Sequence, residues 1–147
     1  IDLISGKYWN HANQLLLNTG NDTRDVTITS FQTPINMPGG NMMSTIAIIA
    51  ADVNNDGFID LIIGNWNQAN QLLLNTGEDA IFGSAIDIPC SGTQTRSLAV
   101  ADMDNDGHLD IVFGNRYQKN QLLMNLGDGI SYKEPAGLGS SWLPDGN

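Results

Sequence analysis

A nine-residue, oxygen-rich segment occurs twice: Asp52-Val53-Asn54-Asn55-Asp56-Gly57-Phe58-Ile59-Asp60 and Asp102-Met103-Asp104-Asn105-Asp106-Gly107-His108-Leu109-Asp110. Each copy crowds side-chain oxygens onto alternate positions around a glycine. The three acids of the first copy and the four of the second repel one another at contact distance, by about 1 kcal/mol per pair even in water. A hard divalent cation among them removes that cost, and Ca2+ suits a flexible, all-oxygen cage. Positions 1, 3 and 5 offer side-chain oxygens: Asp52, Asn54 and Asp56, then Asp102, Asp104 and Asp106. Glycine at position 6 lets the chain turn around the ion. Position 7 gives a backbone carbonyl (Phe58, His108), which leaves its side chain unconstrained and the His108 imidazole free to face solvent. Asp60 and Asp110 close the cage at position 9. The spacing therefore predicts two Ca2+ sites.

An EF-hand opens in the same way but requires a bidentate Glu at position 12. Position 12 here is Ile63 or Phe113, inside the segments Leu61-Ile62-Ile63-Gly64 and Ile111-Val112-Phe113-Gly114. These are too short and too β-branched for helices. Each loop is thus expected to join two strands as a hairpin. The competing reading is a solvated acidic turn. Two copies with the same liganding positions weigh against it.

Repetition extends beyond the loops. Asp2-Leu3-Ile4-Ser5-Gly6 matches Asp60–Gly64 and Asp110–Gly114, at spacings of 58 and then 50 residues, and Asn13–Asn18 matches Asn70–Asn75 and Asn120–Asn125, at 57 and then 50. Each unit reads as four short strands: in the third, Ser97–Ala101, Leu109–Gly114, Gln121–Asn125 and a weaker Ile130–Lys133. Runs such as Ile46–Ala51 and Leu72–Leu74 are apolar at consecutive positions, so both faces of each sheet should be buried. Four-stranded sheets stacked face to face, as blades around a propeller axis, achieve this. A parallel sheet needs helical crossovers, and no segment supplies one.

Composition narrows the partners. The 147 residues carry a formal charge of −10, which excludes nucleic acid as a partner. Two Ca2+ ions would bring that charge to −6, so the acidity is mostly metal chemistry. The longest apolar run is far shorter than the roughly 20 residues of a membrane span. Cys90 is alone, which precludes an intrachain disulfide and fits a small buried hydrophobe.

The pattern Ala-Asp-x-Asp/Asn-x-Asp-Gly-x-x-Asp, three apolar residues and Gly-Asn, followed by Asn-Gln-Leu-Leu and an Asn-x-Gly turn, resembles the FG-GAP/VCBS repeats of integrin α-subunit propellers and many secreted proteins. The resemblance implies an all-β fold: a β-propeller segment of about three four-stranded blades, with calcium in the hairpin joining the first two strands of a blade. It carries Asp52, Asn54, Asp56, Asp60, Asp102, Asp104, Asp106 and Asp110 over as ligands. Asn54 departs from the commoner Asp, which weakens the first site. A single repeat region is expected over 1–147: a partial first blade at 1–43, a second at 44–90, a third at 91–138, and the start of a split or further blade at 139–147. Joined tail to head, Asp145-Gly146-Asn147 and Ile1-Asp2-Leu3-Ile4 reproduce the loop sequence, with Ser141 and Leu143 in place of two ligands. Either further blades follow in a parent chain, or head-to-tail copies complete one another.

The connection between the second and third strands places Trp9, Trp66 and Arg116 at equivalent positions, among Asn and Gln residues. Indole faces with amide neighbours suit a sugar, although they equally suit filling gaps between blades. His11 and His108 lack a Ser, Cys or Asp partner in a nucleophilic arrangement, and the acids outside the loops lack the paired geometry of a glycosidase. No enzyme activity is expected. Asn21-Asp22-Thr23 is a glycosylation triplet, and extracellular calcium is concentrated enough to fill weak sites. The sequence is read as a non-enzymatic, extracellular calcium-binding module for adhesion or recognition. The alternatives are a lectin-like carbohydrate binder using Trp9 and Trp66, and a structural repeat unit of a larger assembly.

Overall fold

The computed structural model describes residues 3–6, 11–16, 33–38, 44–77, 82–88 and 94–133. Its strands form three antiparallel sheets, and no helix occurs among the described residues. The first sheet is β1 (Leu3–Ser5), β2 (Gln14–Leu16) and β3 (Ile35–Asn36). The second runs β4 (Thr45–Ala51), β5 (Asp60–Asn65), β6 (Gln71–Leu73) and β7 (Ile86–Asp87) in sequence order. The third repeats that order with β8 (Thr95–Ala101), β9 (Asp110–Asn115), β10 (Gln121–Asn125) and β11 (Tyr132–Lys133). Neighbours in sequence are neighbours in space, as turn-linked antiparallel strands permit.

The consecutive apolar positions are explained by where the second sheet lies. Every residue of β5 is buried. On one face Ile62 and Leu72 join Ala51 and Val53 in a cluster with Ile111, Phe113 and Leu123 of the third sheet. On the other face Leu61, Ile63 and Leu73 meet Leu15 and Met37 of the first repeat. Strands covered on both sides lose the alternation of a half-solvated sheet. Truncating one of these side chains leaves a cavity between sheets. Ile62→Ala is expected to lower stability by about 2–5 kcal/mol, read as a lower urea midpoint.

Close approach between sheets explains the glycine that ends the first two Leu-Ile-Ile-type segments. A Cβ on Gly64 would lie 2.7 Å from Thr95 Cγ2 in the next sheet, and one on Gly6 would lie 3.1 Å from Thr45 Cγ2. Both first strands carry a bulge at the same place. Thr45 and Ala47 pair with Asn65 and Gly64, and Thr95 and Ser97 pair with Asn115 and Gly114, so Ile46 and Arg96 are the extra residues.

The expected strands of the third repeat are all present, with one shortened. The last begins at Tyr132 rather than Ile130. The Asp128 carboxylate accepts the Ile130 and Ser131 amides at 2.9 and 2.6 Å, which commits both to a turn instead of a ladder. Trp9, Asn21, Cys90, Ser141, Leu143 and the segment 139–147 lie outside the described residues.

Candidate metal centre

The two oxygen-rich loops are the β4–β5 and β8–β9 hairpin turns, and they are congruent. Asn55 and Asn105 adopt φ of 58° and 60°, and Gly57 and Gly107 adopt 91° and 90°. Asparagine tolerates this left-handed conformation and glycine favours it. The Asp52 carboxylate accepts the Asp56 and Gly57 amides at 3.1 and 2.9 Å. Asp102 accepts those of Asp106 and Gly107 at 3.1 and 3.0 Å. Asp56 and Asp106 accept the Phe58 and His108 amides at 2.8 and 2.9 Å. The loop backbone therefore orients its own carboxylates.

The loops differ at position 3. In the second, one oxygen each from Asp102, Asp104 and Asp106 gathers within 4.8 Å of the others. Three anionic oxygens so close fit a hard, oxygen-preferring cation. In the first loop Asn54 takes the place of the central aspartate. Its Nδ2 donates to Asp56 Oδ2 at 2.8 Å, so an amide already satisfies part of the negative charge.

Asp60 and Asp110 play a part that spacing alone did not suggest. Both side chains are fully buried. Asp60 accepts the Val53 amide at 3.0 Å and the Asn75 amide at 2.8 Å, one on each oxygen. Asp110 accepts Met103 and Asn125 in the same way at 2.8 and 2.9 Å. Each clamps the loop start to the third strand of its sheet. Every carboxylate oxygen retains a second lone pair, but Asp110 stands outside the cluster of three. Burial pushes the Asp60 carboxyl above its ordinary range, against the lowering by the Asn75 and Val53 amides, and the charges on Asp56 and Asp52 push it further up. A cation here would oppose that upward push.

At position 7 the side chains are not idle. The Phe58 ring covers Gly77 and the His108 ring covers Gly127, where no Cβ fits. His108 is half-buried, with Nδ1 3.0 Å from Asn55 Nδ2 of the other loop. The expectation of a solvent-facing imidazole is thus corrected. The glycine turn after β10 of its own sheet and the first loop of the neighbouring sheet lie against the ring.

The repeated asparagines are the residues whose role the sequence did not disclose. Asn125 Nδ2 donates to Val53 O of the adjacent sheet at 2.7 Å, and its Oδ1 accepts the Gly127 amide at 2.9 Å. Asn75 Oδ1 accepts Gly77 at 2.9 Å. At the opposite end of the sheets Asn70 and Asn120 accept the amides of Asn65 and Asn115, each at 2.8 Å. Recurrence at fixed positions was the available signal. These amides close turns and tie the first loop to the third sheet.

Trp66 and Arg116 stand at that opposite end. Trp66 is half-buried and bridges Gln94 of the third sheet, and Arg96 lies over its ring with Cζ 4.2 Å from the centroid. Arg116 is exposed and lies over Tyr117 at 4.4 Å. His11 is exposed.

Stacked antiparallel sheets whose first hairpins present oxygen-rich loops define an all-β repeat protein. Residues 52–113, from the first position of the first loop into the strand after the second, match the family model of the FG-GAP-like repeat. The match supports, over that segment, the FG-GAP-like resemblance read from the sequence. Among curated proteins none matches the chain. No helix among the described residues is long and apolar enough to cross a membrane.

Proposed function

We propose that the chain is a calcium-stabilised segment of a β-propeller-type repeat, serving an extracellular protein as a non-enzymatic recognition or adhesion module. The observation that carries the reading is the congruence of the two hairpin loops, together with the gathering of Asp102, Asp104 and Asp106 in the second. Asp102, Asp104, Asp106, the His108 carbonyl and Asp110 would hold one ion; Asp52, Asn54, Asp56, the Phe58 carbonyl and Asp60 would hold the other. Bound calcium supplies charge neutralisation and no reaction. The chain's own amides orient the carboxylates and bury Asp60 and Asp110 beneath them.

Charge count makes the two sites unequal. A ligand set with one carboxylate fewer binds Ca2+ more weakly, and the Asn54–Asp56 hydrogen bond must break before an ion takes its place. Calorimetric titration of chelator-stripped protein with Ca2+ is expected to show two events, the tighter lost in Asp106→Ala. Asn54→Asp should strengthen the weaker event by about tenfold, one carboxylate's worth of charge-assisted binding. A featureless titration would remove the metal reading.

The reading of partners rests on the other face of the third sheet. Val112 and Leu122 pair across β9 and β10, opposite the face that carries Ile111 and Phe113, and are half-buried. A further sheet stacked there would bury them as the third sheet buries Ile62 and Leu72. Its source would be the same parent chain or a head-to-tail copy.

A further inference from the structure

The chain's few cations are not spread evenly. Among the described residues Arg96, Arg116 and Lys119 lie at the end of the sheets away from the aspartate loops, and Lys133 lies elsewhere, on β11. Arg96 and Asp102 are six positions apart along β8 and its end, or roughly 20 Å of extended strand. That exceeds the Debye length of about 10 Å at 0.1 M salt. The loop carboxylates therefore do not cancel the positive end, even with a net charge of −10. Asp87, on β7, is engaged by Gln71 Nε2 at 3.0 Å.

Both arginines are held in place. Arg96 is the bulged residue of β8, and a bulge re-aims the side chain it carries. Here it sets the guanidinium over Trp66. Arg116 lies over Tyr117 and donates to its hydroxyl. Tyr117 takes a φ of 57° and is 79% exposed, an uncommon conformation for a bulky residue. Gln94 links the two pairs, bridging Trp66 and accepting the Arg116 amide on its carbonyl at 2.9 Å. Its side-chain Oε1 is buried with no hydrogen-bond partner. Such an orphaned acceptor costs stability until a donor reaches it.

An arginine over an indole changes what that indole binds. The covered face of Trp66 no longer offers a bare platform to a sugar ring, which weakens a lectin reading through stacking on that face. A guanidinium held over a ring keeps N–H donors for a ligand, and its fork suits bidentate capture of a carboxylate. Exposed Asn67 and Gln118 flank the pairs with amides. We infer that this end of the sheets binds a carboxylate-bearing carbohydrate: Arg96 and Arg116 take its carboxylates, and Gln94 Oε1 accepts from a sugar hydroxyl. Hydroxyl-rich uronate chains supply both groups at once. An acidic peptide supplies the charge without the hydroxyls. This inference deepens the recognition reading and rests on it, but does not depend on metal in the loops.

Affinity electrophoresis of the full chain tests it, with hyaluronan oligosaccharide, neutral chito-oligosaccharide polymer and poly-glutamate as separate probes. Hyaluronan is expected to retard the protein, and added salt to relieve the retardation. Arg96→Ala and Arg116→Ala should each weaken binding about tenfold, as loss of one charge-assisted pair does, with Arg96→Lys recovering part. Both positions are exposed, so unchanged melting curves would confirm that the variants fold. Gln94→Leu should weaken hyaluronan binding without changing its salt dependence. Equal retardation by poly-glutamate, or hyaluronan binding untouched by both arginine variants, would overturn the inference. Binding of the neutral polymer alone would overturn it while leaving recognition standing. Silence from all three probes would count against both.

Discussion

Stripping calcium is expected to lower the melting temperature by about 10–20 °C relative to protein in 10 mM Ca2+. Binding to the folded state alone stabilises by about 2.7 kcal/mol per site when the ion is a hundredfold above its dissociation constant. Two such sites give roughly 5 kcal/mol. For a chain of this size 1 kcal/mol moves the midpoint by about 2–4 °C. The physical source is visible in the second loop, where three carboxylates hold oxygens within 4.8 Å of one another. Magnesium should restore little of the loss, because it demands a tighter octahedral shell and gives up water reluctantly. Differential scanning calorimetry in chelator, Mg2+ and Ca2+ makes the comparison. Superimposable curves in chelator and calcium would defeat the metal reading.

The loss should also be shared unequally. Asn55 and His108 touch across the two loops, and Asn125 ties the third sheet to Val53 O. Ordering the second loop therefore steadies one wall of the first. Asp106→Ala is expected to weaken calcium binding at the first loop as well as abolish it at the second. Two independent sites would leave the first unchanged.

How much of this was legible follows from which interactions are local. The strand pattern of the second and third repeats, the hairpin connection and the glycine turn are set by residues within a few positions of one another. Ile62, Gly57 and Asp56 could each be read in place. Consecutive apolar residues in β5 even told that both its faces are covered. What the sequence left hidden lies between repeats. The stacking of Arg96 on Trp66 depends on a bulge and on the separation of two sheets. The place of His108 depends on Gly127 and on Asn55, which is 53 residues away. The late start of β11 depends on one carboxylate, Asp128, winning two amides from the ladder. Asn75 and Asn125 announced themselves by recurrence, but recurrence does not say whether an amide faces a ligand or caps a turn.

The most informative substitution separates the two tasks given to the loop aspartates. Asp110 is fully buried and satisfies the Met103 and Asn125 amides. Asp110→Ala orphans both donors, at about 1–3 kcal/mol each, and opens a void beneath the loop. It is expected to cost about 3–5 kcal/mol even in chelator, where no ion contributes. Asp106 is exposed, and its side chain accepts the His108 amide at 2.9 Å. In chelator, Asp106→Ala should be nearly neutral, since the lost turn hydrogen bond is offset by relief of repulsion from Asp102 and Asp104. In calcium it should approach the chelator melting point. Asp110→Asn retains one acceptor but turns an amide donor toward the second N–H, so it should rescue little. Chemical denaturation of the three variants, with and without calcium, separates a carboxylate that holds the backbone from one that waits for an ion. If Asp110→Ala were harmless in chelator, the buried clamp would have no structural role, and both position-9 aspartates would return to the ion alone.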